Sequence, residues 1–433
     1  MPYYFALQSM SIQDGASDFE CCSQGTINPQ CLPAEIADQI IGLLDNDQSE
    51  CREGIFPTLK ACSLVCRTWN ELCLPRIFRS LSVDLYKSSI DSALLPLYFM
   101  HFTAPRIFQH IASFNFRWSR DMGDPPAWFA DALARLTNLR SLSLYSGVAS
   151  GFPPLPASFA SGIATLVAKA PLERLHLAHW DFLHDASDLC RLLVSCSSTL
   201  MELSLSECRV RDPEMAADSI GSDANVQPIV QPVVHLGALR KLALMDNIDV
   251  SISQLRHLDA PNLRSLTCAY LKDPFHDLSP WIPATMEELT LDVRDYSHRP
   301  CFGKSIKPAS LTIVLCLSFH QEGEYFSVFS WIEGCLNNLA SPHVLRELNI
   351  RILNLKAFTH PGFTYPARAD YEILHRALER FPALECTNIT LNFQLFYIQP
   401  SPCGYVAELR EVFGTLMDEN KVAVSVTFTK WSP

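Results

Sequence analysis

Positive charge is missing at the start of this chain. Residues 1–51 contain no Lys or Arg, and Arg52 is the first basic residue. A secretory signal and a mitochondrial presequence both need N-terminal basic residues, so neither is expected in ordinary form. Over all 433 residues, 34 Lys and Arg face 46 Asp and Glu, a formal net charge of -12. Binding to a phosphate backbone needs clustered positive charge, so nucleic acid is not an expected partner. Long apolar runs are also missing. Leu311 to Leu317 falls far short of the roughly 20 residues that span a bilayer, and no membrane partner is expected.

Motifs that carry chemistry are scarce. There is no GxG and no CxxC, and neither GxSxG nor HExxH occurs. Gly303-Lys304-Ser305 ends like a phosphate loop, but His298 stands where the loop needs a glycine for its amides to wrap phosphate. His176, His179, Asp181, His184 and Asp185 bring together metal-ligating types. No two of them have a fixed ligand spacing, and His176 alternates with Leu175 and Leu177 like the outward residue of a strand. The expectation is therefore no enzyme, no metal and no cofactor. The 16 cysteines are irregularly spaced, and several sit among apolar residues. They read as buried reduced thiols, which places the chain in the cytoplasm and/or nucleus.

What is present is a core-rich composition, 48% hydrophobic and 18% charged. Two segments are organised. In residues 31–44 apolar side chains fall at Ile36, Ile40, Leu43 and Leu44, the stripe of an amphipathic helix. Pro33 suits its first turn and Glu35 the positive end of its dipole. After Pro57 a second stripe follows, at Cys62, Val65, Cys66, Trp69, Leu72 and Cys73. Two or three short helices in about 50 residues make a marginal core, which leaves apolar positions for a partner or for the rest of the chain.

Three blocks of this segment resemble an F-box: Leu32-Pro33-x-Glu35-Ile36, then Leu59-Lys60-x-Cys62-Ser63-Leu64-Val65-Cys66-Arg67-x-Trp69, then Arg76-Ile77-Phe78-Arg79-Ser80-Leu81. They are most similar to the F-box proteins abundant in mushroom-forming fungi, although the loop from Asp45 to Phe56 is longer than in compact F-boxes. The resemblance implies docking on the Skp-type linker of a cullin–RING ubiquitin ligase. Leu32, Pro33, Glu35, Ile36, Ile40, Leu59, Val65 and Trp69 would then form or support the docking face.

The second organised segment repeats LxxLxL. Copies start at Leu139, Leu172, Leu200, Leu239, Leu263, Met286 and Leu345, with less regular units around Leu311 and Leu384. Each LxL puts two apolar residues on one face of a strand, and stacked units share the core that one unit lacks. The pattern resembles a degenerate leucine-rich repeat of the F-box type. The expected fold is α/β, with a small helical F-box followed by an irregular solenoid of parallel strands on one face and helices on the other. The expected layout is an acidic tail over 1–28, the F-box over 29–80 and a target-recognition array over 81–433. The loop-like stretches Asp212–Pro232 and His360–Asp370 interrupt it.

The strand positions between the leucines point to the open face: Arg174, His176, Glu202, Lys241, Met245, Glu288, Asp292, Glu347 and Arg351. Lys241, Glu288, Asp292 and Arg351 are the expected target-binding residues, and Leu244, Leu266 and Leu289 the expected core. The function implied is that of a substrate-recognition adaptor in an SCF-type ligase, with an unidentified target protein. The rival reading is a leucine-rich interaction protein with a vestigial F-box that acts outside any ligase.

Overall fold

A computed structural model describes residues 33–46, 52–85, 90–118, 126–146, 157–179, 181–182, 186–210, 233–245, 258–269, 283, 286–293, 307–316, 328–339, 341–357, 368–395, 411–412, 414 and 422–430. The chain divides between Ile77 and Phe78 into two compact units.

The first unit contains helices α1 (Ala34–Asn46), α2 (Arg52–Ser63) and α3 (Arg67–Ile77). The Pro33 carbonyl starts α1 by accepting the Ile36 and Ala37 N–H groups, each at 3.0 Å. The buried stripe of α1 is Ala37 and Ile41, one position along from the expected Ile36 and Ile40, which stay on the surface. The expected second stripe spans a break. The chain turns at Leu64–Cys66, so Cys62 and Cys73 lie on different helices and Val65 and Cys66 are exposed. Helix α2 also begins before Pro57, which lies inside it. Periodicity carried across a turn mimics a longer helix, because a three-residue turn nearly preserves the phase of 3.6.

The second unit is mixed α/β and centred on a twelve-stranded sheet, in which every paired strand is parallel to its neighbour. Its strands run β1 (Ser80–Asp84), β2 (Ser113–Trp118), β3 (Ser141–Ser146), β4 (Arg174–Ala178), β6 (Glu202–Ser206), β9 (Lys241–Met245), β11 (Ser265–Ala269), β12 (Glu288–Val293), β13 (Ser310–Cys316), β14 (Glu347–Ala357), β15 (Cys386–Leu395) and β16 (Val422–Lys430). They follow one another across the sheet in chain order. Two short parallel pairs lie outside it: β5 (Asp181–Phe182) with β7 (Arg209–Val210), and β8 (Val234–His235) with β10 (Leu258–Asp259).

The register explains the motif. The second motif position forms one ladder through Phe114, Leu142, Leu175, Leu203, Leu242, Leu266, Leu289, Leu311 and Leu348. The third forms a parallel ladder from Phe116 to Ile350, and both are buried. Leu244, Leu266 and Leu289 are core as expected. The array also starts earlier than the leucines announce. Phe78-x-x-Leu81-x-Val83 and Ile111-x-x-Phe114-x-Phe116 occupy the same positions with aromatic and branched residues.

Helices α4 (Ile90–Phe102), α5 (Trp128–Leu133), α6 (Ala157–Lys169), α7 (Ala186–Cys196), α8 (Val328–Asn337) and α9 (Arg368–Leu378) supply the rest of the core. The stretch His360–Asp370 was expected as loop, yet α9 starts inside it at Arg368; Arg, Ala and Asp carry no helix-breaking signal, whereas Pro361 and Pro366 precede them. Asp212–Pro232 lies outside the described residues.

Backbone hydrogen bonds join the repeats at one recurring point. The carbonyl of the residue before each strand accepts two N–H groups from the next repeat: Arg140 and Ser141 donate to Ala112, Arg264 and Ser265 to Arg240, Glu385 and Cys386 to Arg346. Side chains reinforce the joint. Asn138 Nδ2 donates to the Gln109 carbonyl and Asn262 Nδ2 to the Gly237 carbonyl, both at 2.7 Å, and Thr199 Oγ1 donates to the Leu172 carbonyl at 2.8 Å.

Candidate functional site

Two surfaces carry candidate function, one in each unit. In the helical unit, burying Ala37, Ile41, Leu59, Cys73 and Ile77 leaves other apolar side chains in solvent. Ile36 is 42% exposed, Ile40 37%, Leu64 80% and Val65 65%. Leu64 and Val65 stand in a held turn, where their N–H groups donate to the Ala61 and Cys62 carbonyls at 3.2 and 3.1 Å. Ser63 is buried, and its hydroxyl donates to the Lys60 carbonyl at 2.7 Å. The Arg76 guanidinium ties α3 to α1 through Asp38 at 3.0 Å.

Of the residues the F-box resemblance singles out, Pro33, Glu35, Ile36, Ile40 and Val65 are exposed and Trp69 is half-buried. Leu59 is buried within the unit, so its place is in packing rather than on the surface. Leu32 lies outside the described residues. Leu64 is the most exposed of the large apolar side chains here, and the stripe argument passed over it. It follows a serine and precedes a valine in the turn, where no helical period applies.

In the sheet unit the outward positions form three columns. Arg174, His176, Glu202, Lys241, Met245, Glu288, Asp292, Glu347 and Arg351 all occupy them and are exposed or half-buried. The four expected target-binding residues do not converge. Lys241 registers with Ser265, and Ser265 with Glu288; Asp292 registers with Val314, and Val314 with Arg351. Each pair is therefore two strands apart, roughly 10 Å. Lys241 pairs instead with Glu202 at 3.4 Å. Asp292 is only half-buried, with one carboxylate oxygen enclosed, so it is less open than its outward position suggests.

The connected polar surface lies further toward β1. Arg117 pairs with Asp84 at 3.4 Å, and its guanidinium sits 5.5 Å from the centre of the Tyr145 ring. Tyr145 meets His176 at 5.0 Å between ring centres. Burial, and secondly His179, hold His176 below the usual imidazole pKa. His179 Nδ1 lies 2.9 Å from Glu207 Oε2. His179 and Glu207 follow the registered pair Ala178 and Ser206, and both adopt the left-handed backbone, with φ of 58° and 48°. That conformation is uncommon outside glycine and clusters at functional sites. The alternation around Leu177 pointed to His176, whereas Tyr145, which follows Leu144, was passed over. Nothing in the sequence announced Glu207.

Only part of the His176 cluster lies within the described residues. His179 is committed to Glu207, His184 and Asp185 lie outside the described residues, and no group of three or more potential ligands occurs among the described residues. The described cysteines are free thiols, and burial pushes those of Cys196 and Cys268 up to about 12. No helix among the described residues is long and apolar enough to cross a membrane.

Compared with known protein-family models and with curated proteins, the chain finds no match.

Proposed function

We propose that the chain is a substrate-recognition adaptor of an SCF-type cullin–RING ubiquitin ligase. The helical unit is read as an F-box that binds the Skp-type linker. The parallel array is read as a degenerate leucine-rich-repeat solenoid that holds a target protein on its outward face. The observation that carries the reading is the exposed apolar set Ile36, Ile40, Leu64 and Val65, within the blocks that resemble an F-box. Apolar side chains left in solvent at this density on a small unit mark a protein interface. The adaptor accelerates ubiquitin transfer by raising the effective concentration of target beside a charged conjugating enzyme, with no reacting side chain of its own.

The test is calorimetric titration of the full chain with a Skp-type linker. Leu64→Asp combined with Val65→Asp is expected to abolish binding while circular dichroism stays unchanged. Failure of the wild-type chain to bind sinks the proposal. So does undiminished binding by the double variant.

A further inference from the structure

The column immediately before the strands holds charged residues at the points where repeats join. Its rungs are roughly 4.8 Å apart, the spacing of neighbouring strands. In three places an arginine is matched by a glutamate on the following rung: Arg140 with Glu173 at 3.1 Å, Arg264 with Glu287 at 3.4 Å and Arg346 with Glu385 at 4.0 Å. Arg240 breaks this pattern. The rung before it is Met201 and the rung after it is Arg264, whose N–H donates to the Arg240 carbonyl at 2.8 Å. Two guanidinium-bearing residues on adjacent rungs repel, as like charges directly opposite one another do. Arg240 has no ion pair among the described residues, and its side chain is exposed.

A surface hollow opens at this spot, lined by Met201, Gly237, Ala238, Arg240, Asn262, Arg264 and Glu287. Gly237 and Ala238 contribute the smallest side chains of the lining. Within the lining, Asn262 Nδ2 donates to the Gly237 carbonyl at 2.7 Å, and the His235 ring beside Gly237 pairs through Nδ1 with Asp259 Oδ2 at 2.6 Å. Glu287 is the acid in the lining, and Arg264 already neutralises it. Glu288 is not part of the lining. Among the described residues the hollow therefore carries one uncompensated positive charge on a planar, fork-shaped donor, with a second such donor on the next rung.

We propose that this hollow binds an oxyanion, a carboxylate or a phosphate group, between the Arg240 and Arg264 guanidinium groups. Guanidinium forks match both anions through paired N–H donors, and an anion there relieves the repulsion between the two arginines. The site is separate from the outward residues proposed for target capture. It stands or falls without the ligase reading, because its ligand is read directly.

The test uses the full chain at constant ionic strength, titrated calorimetrically with inorganic phosphate and, separately, with glutarate. Saturable binding of either is expected, weakened at least tenfold by Arg240→Gln and by Arg264→Gln. Arg140→Gln, in the same column but already ion-paired, is expected to leave it unchanged. Phosphate binding alone identifies a phosphoryl ligand, and glutarate binding alone a carboxylate. A second measurement needs no ligand: Arg240→Glu supplies the missing acid beside Arg264 and should raise the thermal midpoint. Binding of neither anion overturns the site, and so does binding that Arg240→Gln leaves intact. A midpoint lowered by Arg240→Glu overturns the charge argument behind it.

Discussion

In the helical unit Leu64 and Val65 stand 80% and 65% exposed, whereas in the sheet Leu266, Cys268 and Leu311 are completely buried. The residue types are the same, and the number of repeats makes the difference. Each strand of the sheet has a neighbour that continues its apolar ladder, so the core closes by addition. The helices α1 to α3 have no such continuation. Once Ala37, Ile41 and Leu59 are covered, Ile36, Ile40 and Leu64 stay exposed, with no further apolar rung among the described residues of the unit to cover them. A short module and the outward strand face of a long array thus present opposite surfaces, one apolar and ready to be covered, the other mostly polar or charged.

The contrast can be broken most forcefully at the ladder. Leu266→Ala removes a fully buried rung and is expected to cost about 2–5 kcal/mol in denaturant unfolding of the full chain. An opposite sign is expected at Thr387. It takes the ladder position of the second leucine in β15, paired with Leu348, and its Oγ1 is buried with no hydrogen-bond partner among the described residues. Thr387→Val keeps the shape and removes the orphaned hydroxyl, so stability should rise by about 1 kcal/mol in the same assay.

His176 provides a smaller, pH-dependent effect. Its folded pKa lies below the unfolded value, so the folded state favours the neutral ring. The stability this contributes is complete above the unfolded pKa, about 6.5, and is lost as pH falls through the folded value. His176→Gln should flatten unfolding free energy against pH in that window, and an unchanged slope refutes the assignment. The smallest effect is expected on the apolar surface. Leu64→Asp should change stability by less than about 0.5 kcal/mol, because the side chain has little to lose on the surface. A cost as large as that of Leu266→Ala would mean that Leu64 is packed in the fold.

The fold was legible where one physical requirement repeated. The LxL alternation located β3, β4, β6, β9, β11, β12 and β14 and told inward from outward residues, because period two permits no other assignment. It missed β1 and β2, since Phe114 and Phe116 satisfy the same burial without being leucine. Around Leu384 it hid the true rung at Thr387, which is polar. The helical stripe was less legible. Ile36 and Ala37 lie one position apart on α1, and which of them is buried depends on where α3 arrives. The candidate sites were legible only in part. Lys241 and Glu288 were correctly placed on the open face, but whether outward residues converge depends on which strands neighbour each other, and Lys241 meets Glu202 rather than Glu288. Arg240 looked ordinary until the register set it beside Arg264.

The doubly accepting carbonyls have a consequence for how such a chain tolerates change. Glu202 and Lys241 lie 39 positions apart in sequence, and Ser265 and Glu288 only 23, yet each pair is one rung apart. The joint uses main-chain atoms and a fixed register, so it takes no account of how much chain runs between one rung and the next. Loop-closure entropy rises only by about 0.6 kcal/mol for each doubling of length. Segments inserted between strands are therefore nearly cost-free, and the gauge of the ladder survives them. An array of this kind can acquire new connections one at a time while every residue already aligned on its face keeps its neighbours.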